Sequence, residues 1–218
     1  MQNTKPLQQT AYDYIQALIL DDQFQYDQIY SETKLSKEIG ISRTPVRDAL
    51  LRLAQEKYID IIPSKGFCLH QLTHKDIIET FQVRSAIEGY CTYQITQNYN
   101  SDHARLLFDK LNGYLQLQRE IAENSKDINQ FVDYDNQFHI ETVAYAGNSA
   151  FNQLFGSFIY QIKRLAVLSL KHEGRMQATI KEHEAILSAM QSGDLANIYD
   201  ITMLHMENPK VLNLEDIV

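Results

Sequence analysis

From Thr73 onward the apolar residues recur at helical spacing and nowhere alternate, so the second two-thirds of the chain can be built only from helices. Thr73 caps a first helix reaching about Asn98, Ser101 caps a second reaching about Asn124, and a third runs from about Ser125 to Tyr145. Gly147-Asn148 breaks the pattern, which resumes over Ala150–Leu170 and again over Arg175–Gln191. After Ser192-Gly193-Asp194 a last helix runs from Leu195 to about Glu207, where Pro209 is expected to stop it. Six helices in about 146 residues must bury their apolar faces on one another, and an antiparallel all-helical bundle does this.

The preceding stretch is patterned differently. Leu7, Ala11, Tyr14, Ile15, Leu18 and Ile19 place a helix over Lys5 to about Asp21. Ser31-Glu32 opens a short helix that Gly40 ends. A third helix follows, with Thr44 as its cap and Pro45 at its first position, and Val46, Ala49, Leu50, Leu53 and Ala54 form its apolar stripe. Tyr58–Ile62 and Phe67–Leu72 read as strands around a Pro63-Ser64-Lys65-Gly66 turn. The expectation is a mainly α protein, with a winged helix-turn-helix over residues 1–72 and an all-helical domain over residues 73–218.

No window approaches 18 apolar residues without a charge, which argues against a membrane span. Met1 to Asp13 is polar and lacks the apolar run of a leader. Cys68 and Cys91 have no metal-ligand spacing and read as free thiols, so a cytoplasmic location is expected. A net charge of −8 by itself disfavours a nucleic-acid binder. The distribution changes that argument. Residues 71–218 hold 12 basic and 19 acidic side chains, whereas residues 31–66 hold 7 basic and 5 acidic.

That basic stretch contains Ile41-Ser42-Arg43-Thr44-Pro45-Val46-Arg47, which sets two arginines and two hydroxyls at the start of a recognition-type helix. Arg can grip guanine O6 and N7 together, and free N–H groups at a helix start favour phosphate. Lys65-Gly66 in the hairpin turn would form a basic wing tip. Charge alone favours a solvated helix end with local pairs such as Arg47–Asp48 or Arg52–Glu56; the order of helices and the hairpin tip reverse this in favour of DNA.

Residues 31–67 resemble the winged helix-turn-helix of the GntR family of transcription regulators. The resemblance rests on Ser42-Arg43-Thr44-Pro45-Val46-Arg47, the following Ala49-Leu50 and Leu53, and Gly66-Phe67. It implies double-stranded operator DNA as partner, contacted by Arg43, Thr44 and Arg47, with Ser42 and Lys34 beside them and Lys65 and Gly66 in the wing. The family usually has Arg after the Ser-Glu pair, where this chain has Thr33 followed by Lys34.

In the helical part, Asp135 and His139 stand one turn apart on one face, and His183 and His205 each lie beside apolar residues. Three histidines and a carboxylate facing a bundle interior suit a divalent ion such as Zn²⁺, Ni²⁺ or Mn²⁺. An isolated histidine on an apolar face is more often a hydrogen-bonded core residue, so spacing alone leaves both readings open. Residues 73–207 resemble the FCD domain of FadR-like GntR regulators, in its VanR-like six-helix form. Val83-Arg84-Ser85-Ala86-Ile87-Glu88, Asp135-Asn136-Gln137-Phe138-His139, Ala146-Gly147-Asn148, Glu182-His183-Glu184, Gly193-Asp194 and His205 carry this likeness. It implies that Asp135, His139, His183 and His205 hold the metal and that a small organic acid is the effector.

Arg84 is the expected partner for a carboxylate of that acid, with an ion pair to Glu88 as the competing reading. The expected protein is a ligand-responsive repressor that dimerises on a pseudo-palindromic operator. The alternatives are a helical metalloenzyme, for which only Glu182 and Glu184 lie near in sequence as bases, and a direct metal sensor.

Overall fold

A computed structural model describes residues 5–217, so the first four residues of the polar amino-terminal stretch lie outside the described residues. The chain divides into two compact units, Met1–Leu72 and Thr73–Val218.

The first unit comprises α1 (Leu7–Leu20), α2 (Glu32–Ile39), α3 (Arg43–Gln55) and the strands β1 (Ile59–Ile62) and β2 (Gly66–Leu69). Ala11, Tyr12, Ile15 and Ile19 of α1 are buried, as are Val46, Ala49, Leu50 and Leu53 of α3, and these two helices pack together. Ser31 caps α2 by accepting from the Lys34 N–H, and Gly40 ends it with a left-handed φ of 73°. β1 and β2 pair antiparallel, with Ile59 opposite Leu69 and Ile62 opposite Gly66. Tyr30 adds an antiparallel bridge to Phe67 on the far side of β2.

Two details differ from the sequence expectation. Ser42, not Thr44, occupies the cap position of α3, so Pro45 is the third helical residue. Proline is tolerated there because none of the first four N–H groups of a helix has an intrahelical partner. The hairpin turn comprises Pro63, Ser64 and Lys65, with Ser64 at φ 63°, and Gly66 already belongs to β2.

Among the described residues six helices build the second unit: α4 (His74–Gln97), α5 (Asp102–Glu123), α6 (Ile128–Tyr145), α7 (Ser149–Leu170), α8 (Arg175–Ser192) and α9 (Ile198–Asp216). No helix among the described residues is long and apolar enough to cross a membrane. Thr73 and Asp76 form a reciprocal capping box at the start of α4. Asp127 caps α6, which starts at Ile128 rather than about Ser125, through bonds from the Asn129 and Gln130 N–H groups. One core cluster joins Leu107, Leu111 and Leu115 of α5 to Phe131 and Phe138 of α6 and Ile186 and Met190 of α8. A second joins Ile87 and Cys91 of α4 to Val143 of α6 and Phe155 and Ile162 of α7. α4 packs against α6, α7, α8 and α9 and so forms the centre of the bundle.

Pro209 does not stop the last helix. It is buried inside α9, which continues to Asp216. The lost backbone bond is outweighed by docking of the final turns: His74 Nε2 lies 3.1 Å from the Leu214 carbonyl, and His172 Nε2 lies 3.0 Å from Asp216 Oδ2.

Candidate functional site

In the first unit, Arg43 and Arg47 are one turn apart on α3 and reach the same carboxylate. Arg43 Nε donates to Glu32 Oε1 and Arg47 Nε to Glu32 Oε2, each at 3.2 Å. Ser42, Thr44, Lys34 and Lys65 are exposed, and among the described residues neither lysine has an ion-pair partner. Gly66 has a tighter reason to be glycine than closeness to DNA: at its φ of 137° a Cβ would lie 2.0 Å from the Tyr30 carbonyl oxygen. Arg52 pairs with Glu56 at 2.9 Å, as the local-pair reading expected, whereas Arg47 pairs with Glu32 rather than Asp48.

In the second unit, α6 supplies Asp135 and His139, α8 supplies His183 and α9 supplies His205, all four buried. Ligating nitrogens of the three histidines lie within 4.8 Å of one another. His139 Nε2 is 3.3 Å from His205 Nε2, and Asp135 has its oxygens 3.6 Å from His183 Nε2 and 3.9 Å from His139 Nε2. Phe138 stacks on the His183 ring at 4.3 Å and fixes its plane.

Each imidazole has an acceptor on its other nitrogen. His139 Nδ1 meets Glu88 Oε2 at 2.6 Å, His205 Nδ1 meets Glu182 Oε2 at 2.8 Å, and His183 Nδ1 meets Gln118 Oε1 at 3.2 Å. With Nδ1 donating outward, the three Nε2 lone pairs face one another, and among the described residues His183 Nε2 is buried without a hydrogen-bond partner. Burial, and after it the neighbouring His205 and His139, push the His183 pKa well below the usual imidazole value. Burial lowers His205 as well, against the pull of Glu182. Burial would raise Glu88, but Arg84 and His139 outweigh it and hold the carboxyl at about 2. Arg175 and His205 likewise outweigh burial at Glu182 and hold it at about 2.

These residues fit a divalent cation. Lone pairs that converge without a proton between them repel, and the buried carboxylate of Asp135 adds a negative charge 3.6 Å from His183 Nε2 and 3.9 Å from His139 Nε2. A positive ion relieves both costs. Two nitrogens on a tetrahedral ion at about 2.0–2.1 Å stand roughly 3.3 Å apart, which is the separation of His139 and His205.

A cavity of about 20 Å³, room for roughly one water molecule, adjoins this cluster and is lined by Arg84, Asp135, Arg175, Thr179 and His205 among others. Arg84 Nε binds Glu88 Oε1 at 2.7 Å, so the expected ion pair exists, yet its Nη2 is buried and unpartnered. Arg175 grips Glu182 through both Nη atoms at 2.6 and 2.7 Å and leaves its buried Nε unpartnered.

Known proteins carry the same two parts. The profile of gntR-family bacterial regulatory proteins matches residues 7–69, and that of the FCD domain matches residues 79–208, more than half of the chain. The chain belongs to the GntR family. The HTH-type transcriptional repressor RspR of Escherichia coli K12 is 23% identical over 191 residues, covering 88% of this chain and 82% of that protein. The crystal structure of a GntR protein from Rhodococcus sp. RHA1 superposes with a TM-score of 0.73 at 17% identity, covering 97% of this chain and 99% of that one. A structure described as the metal-free FCD domain of TM0439 gives a TM-score of 0.55 at 18% identity, covering 67% of this chain and 96% of that one. These structural likenesses are likenesses of fold. GntR proteins are transcription regulators that bind operator DNA, not enzymes, which removes the metalloenzyme alternative.

Sequence reasoning about this GntR protein missed five side chains. Gln118 and Arg175 stand outside every motif, Glu32 belongs to the Ser-Glu pair but reaches arginines of the next helix, and Glu88 and Glu182 reach their histidines from other helices. The signals available were that Glu32 lies within the GntR-like segment and Glu88 and Glu182 within the FCD-like segments.

Proposed function

We propose that this GntR regulator is a metabolite-responsive repressor whose FCD domain holds a divalent metal, Zn²⁺ in the first instance, on Asp135, His139, His183 and His205. The observation that carries the reading is the inward convergence of three buried imidazoles, two of which bring Nε2 to 3.6 and 3.9 Å from Asp135, beside the unpartnered Nη2 of Arg84. An ion held there supplies a fixed positive charge on which a carboxylate can rest. Glu88, Gln118 and Glu182 orient the three imidazoles. Arg84 offers its Nη2 and Arg175 its Nε, both unpartnered among the described residues, beside that position, which suits an acid with a second carboxylate or a hydroxyl. Those two unpartnered nitrogens favour an organic effector over the ion acting as the signal by itself.

The cavity as it stands holds about one water, so the acid must widen it. Binding therefore favours a different packing of the helices that line it, and this differential is what a switch needs. In the first unit Arg43, Thr44 and Arg47 read bases, Ser42, Lys34 and Lys65 approach phosphates, and Gly66 keeps the wing backbone in place. The FCD domains pair, and two heads related by a two-fold axis then read a pseudo-palindrome.

The test is fluorescence anisotropy on a duplex that the wild-type protein selects from randomised DNA. Arg43→Ala and Arg47→Ala should each weaken binding by about 1–3 kcal/mol. Unchanged affinity in both would remove α3 as the reading helix.

A further inference from the structure

We infer that Glu32 is a positioning residue that decides which edge of Arg43 and Arg47 is presented to DNA. This rests on the reading of those two arginines as base contacts. Glu32 opens α2, and its carboxylate spans two residues on the next helix, taking Arg43 Nε on one oxygen and Arg47 Nε on the other. The Glu32 side chain is only 17% exposed, while the arginine side chains are 59% and 60% exposed. Among the described residues neither guanidinium makes any other ion pair or hydrogen bond.

A guanidinium has two hydrogen-bonding edges, a side edge through Nε and an end edge formed by the two Nη groups. Glu32 occupies the Nε side of both arginines. What remains is the pair of end edges, and two parallel N–H groups are what guanine O6 and N7 accept. The clamp also immobilises two long, exposed side chains before DNA arrives, so less rotamer freedom is lost on docking. It has an opposite effect on unspecific binding. One negative charge sits between two positive ones, so the cluster presents a net charge of +1 instead of +2 and attracts phosphate less. Both effects act in the same direction on selectivity: operator contacts improve while background contacts weaken. Glu32 thus sets the ratio of the two affinities.

Glu32→Gln separates these roles, because it keeps the size and removes the charge. Affinity is measured for the selected duplex and for a shuffled duplex, at several salt concentrations, alongside the melting temperature. The expected result is a loss of roughly tenfold on the selected duplex with shuffled-duplex affinity equal or higher, so that the ratio falls at least tenfold. In the Arg43→Ala/Arg47→Ala background the same change should leave selected-duplex affinity unaltered. Equal gains on both duplexes would make Glu32 a mere counter-charge and overturn the inference. Parallel losses on both with a lowered melting temperature would make it only a support for α2, and also overturn it. If Glu32→Gln does not fold, Glu32→Asp, too short to reach both Nε atoms, is read by the same criteria. Should Arg43→Ala and Arg47→Ala leave selected-duplex affinity unchanged, the reading of α3 fails; should they weaken it while Glu32→Gln leaves the ratio intact, this inference alone fails.

Discussion

The buried side chains of His139 on α6 and Glu88 on α4 meet at 2.6 Å, Nδ1 to Oε2, and the other oxygen of that carboxylate takes Arg84 Nε at 2.7 Å. One carboxylate therefore orients together the imidazole proposed as a metal ligand and the arginine proposed to face the effector. Replacing Glu88 with Gln should lower metal affinity by about 10- to 100-fold, because the imidazole loses both its orientation and part of its basicity. Competition with a chromophoric chelator measures this. Unaltered affinity would show that Glu88 serves Arg84 alone.

His139→Ala and His183→Ala should each emerge from purification with little metal by elemental analysis while helical circular dichroism is preserved. His183 is the more telling of the two, because its Nε2 has no other partner to satisfy. Full metal content in both variants would remove the proposed centre.

Acid should destabilise the metal-free protein in two stages. Folding lowers the pKa of His183 and His205 below the ordinary 6.5, so the unfolded chain takes up protons that the folded one refuses. Stability from these groups is full above about pH 6.5 and declines as the pH falls beneath it. Glu88 and Glu182 are held at about 2 against an ordinary 4.5, so their contribution is full above 4.5 and is lost as the pH falls toward 2. Melting temperature against pH checks both stages, and a flat profile between pH 7 and pH 5 would contradict the first.

Glycines at positive φ in the first unit should differ in cost. A Cβ on Gly40 meets nothing within 4 Å, so Gly40→Ala costs only the left-handed strain, about 1 kcal/mol. At Gly66 the same Cβ would strike the Tyr30 carbonyl at 2.0 Å and break its bridge to Phe67. Gly66→Ala should cost clearly more, on the order of 3 kcal/mol, in urea unfolding of the same unit. Equal costs would mean that Tyr30 yields easily.

Much of this architecture was legible where local chemistry decides it. Ser31 and Gly40 bracket α2 as caps do, and Thr73 starts α4 as expected. Local chemistry misled at Pro209, because burial and the contacts of His74 and His172 with the last turns of α9 override a helix-breaking residue. Of the four donors proposed for the metal, only Asp135 and His139 stand at a spacing that a single helix explains, and likeness to FCD domains grouped them with His183 and His205. The partners Glu88, Gln118 and Glu182 needed knowledge of which helices touch, since Gln118 and His183 are 65 residues apart in the chain. Glu32 was hidden for the same reason, being 11 and 15 residues from the arginines it holds.

In the proposed switch, the ion-centred cage in the FCD domain governs the grip of the head on DNA. Its most direct test is the affinity of the zinc-loaded protein for the selected duplex. That affinity is titrated with malonate, succinate, citrate and the acidic small-molecule fraction of an extract from the cells that carry the gene. The account predicts a shift of about 5- to 150-fold with at least one of these, absent in His183→Ala and Arg84→Ala. An affinity that is the same in every titration, and the same again after the metal is stripped, would contradict it.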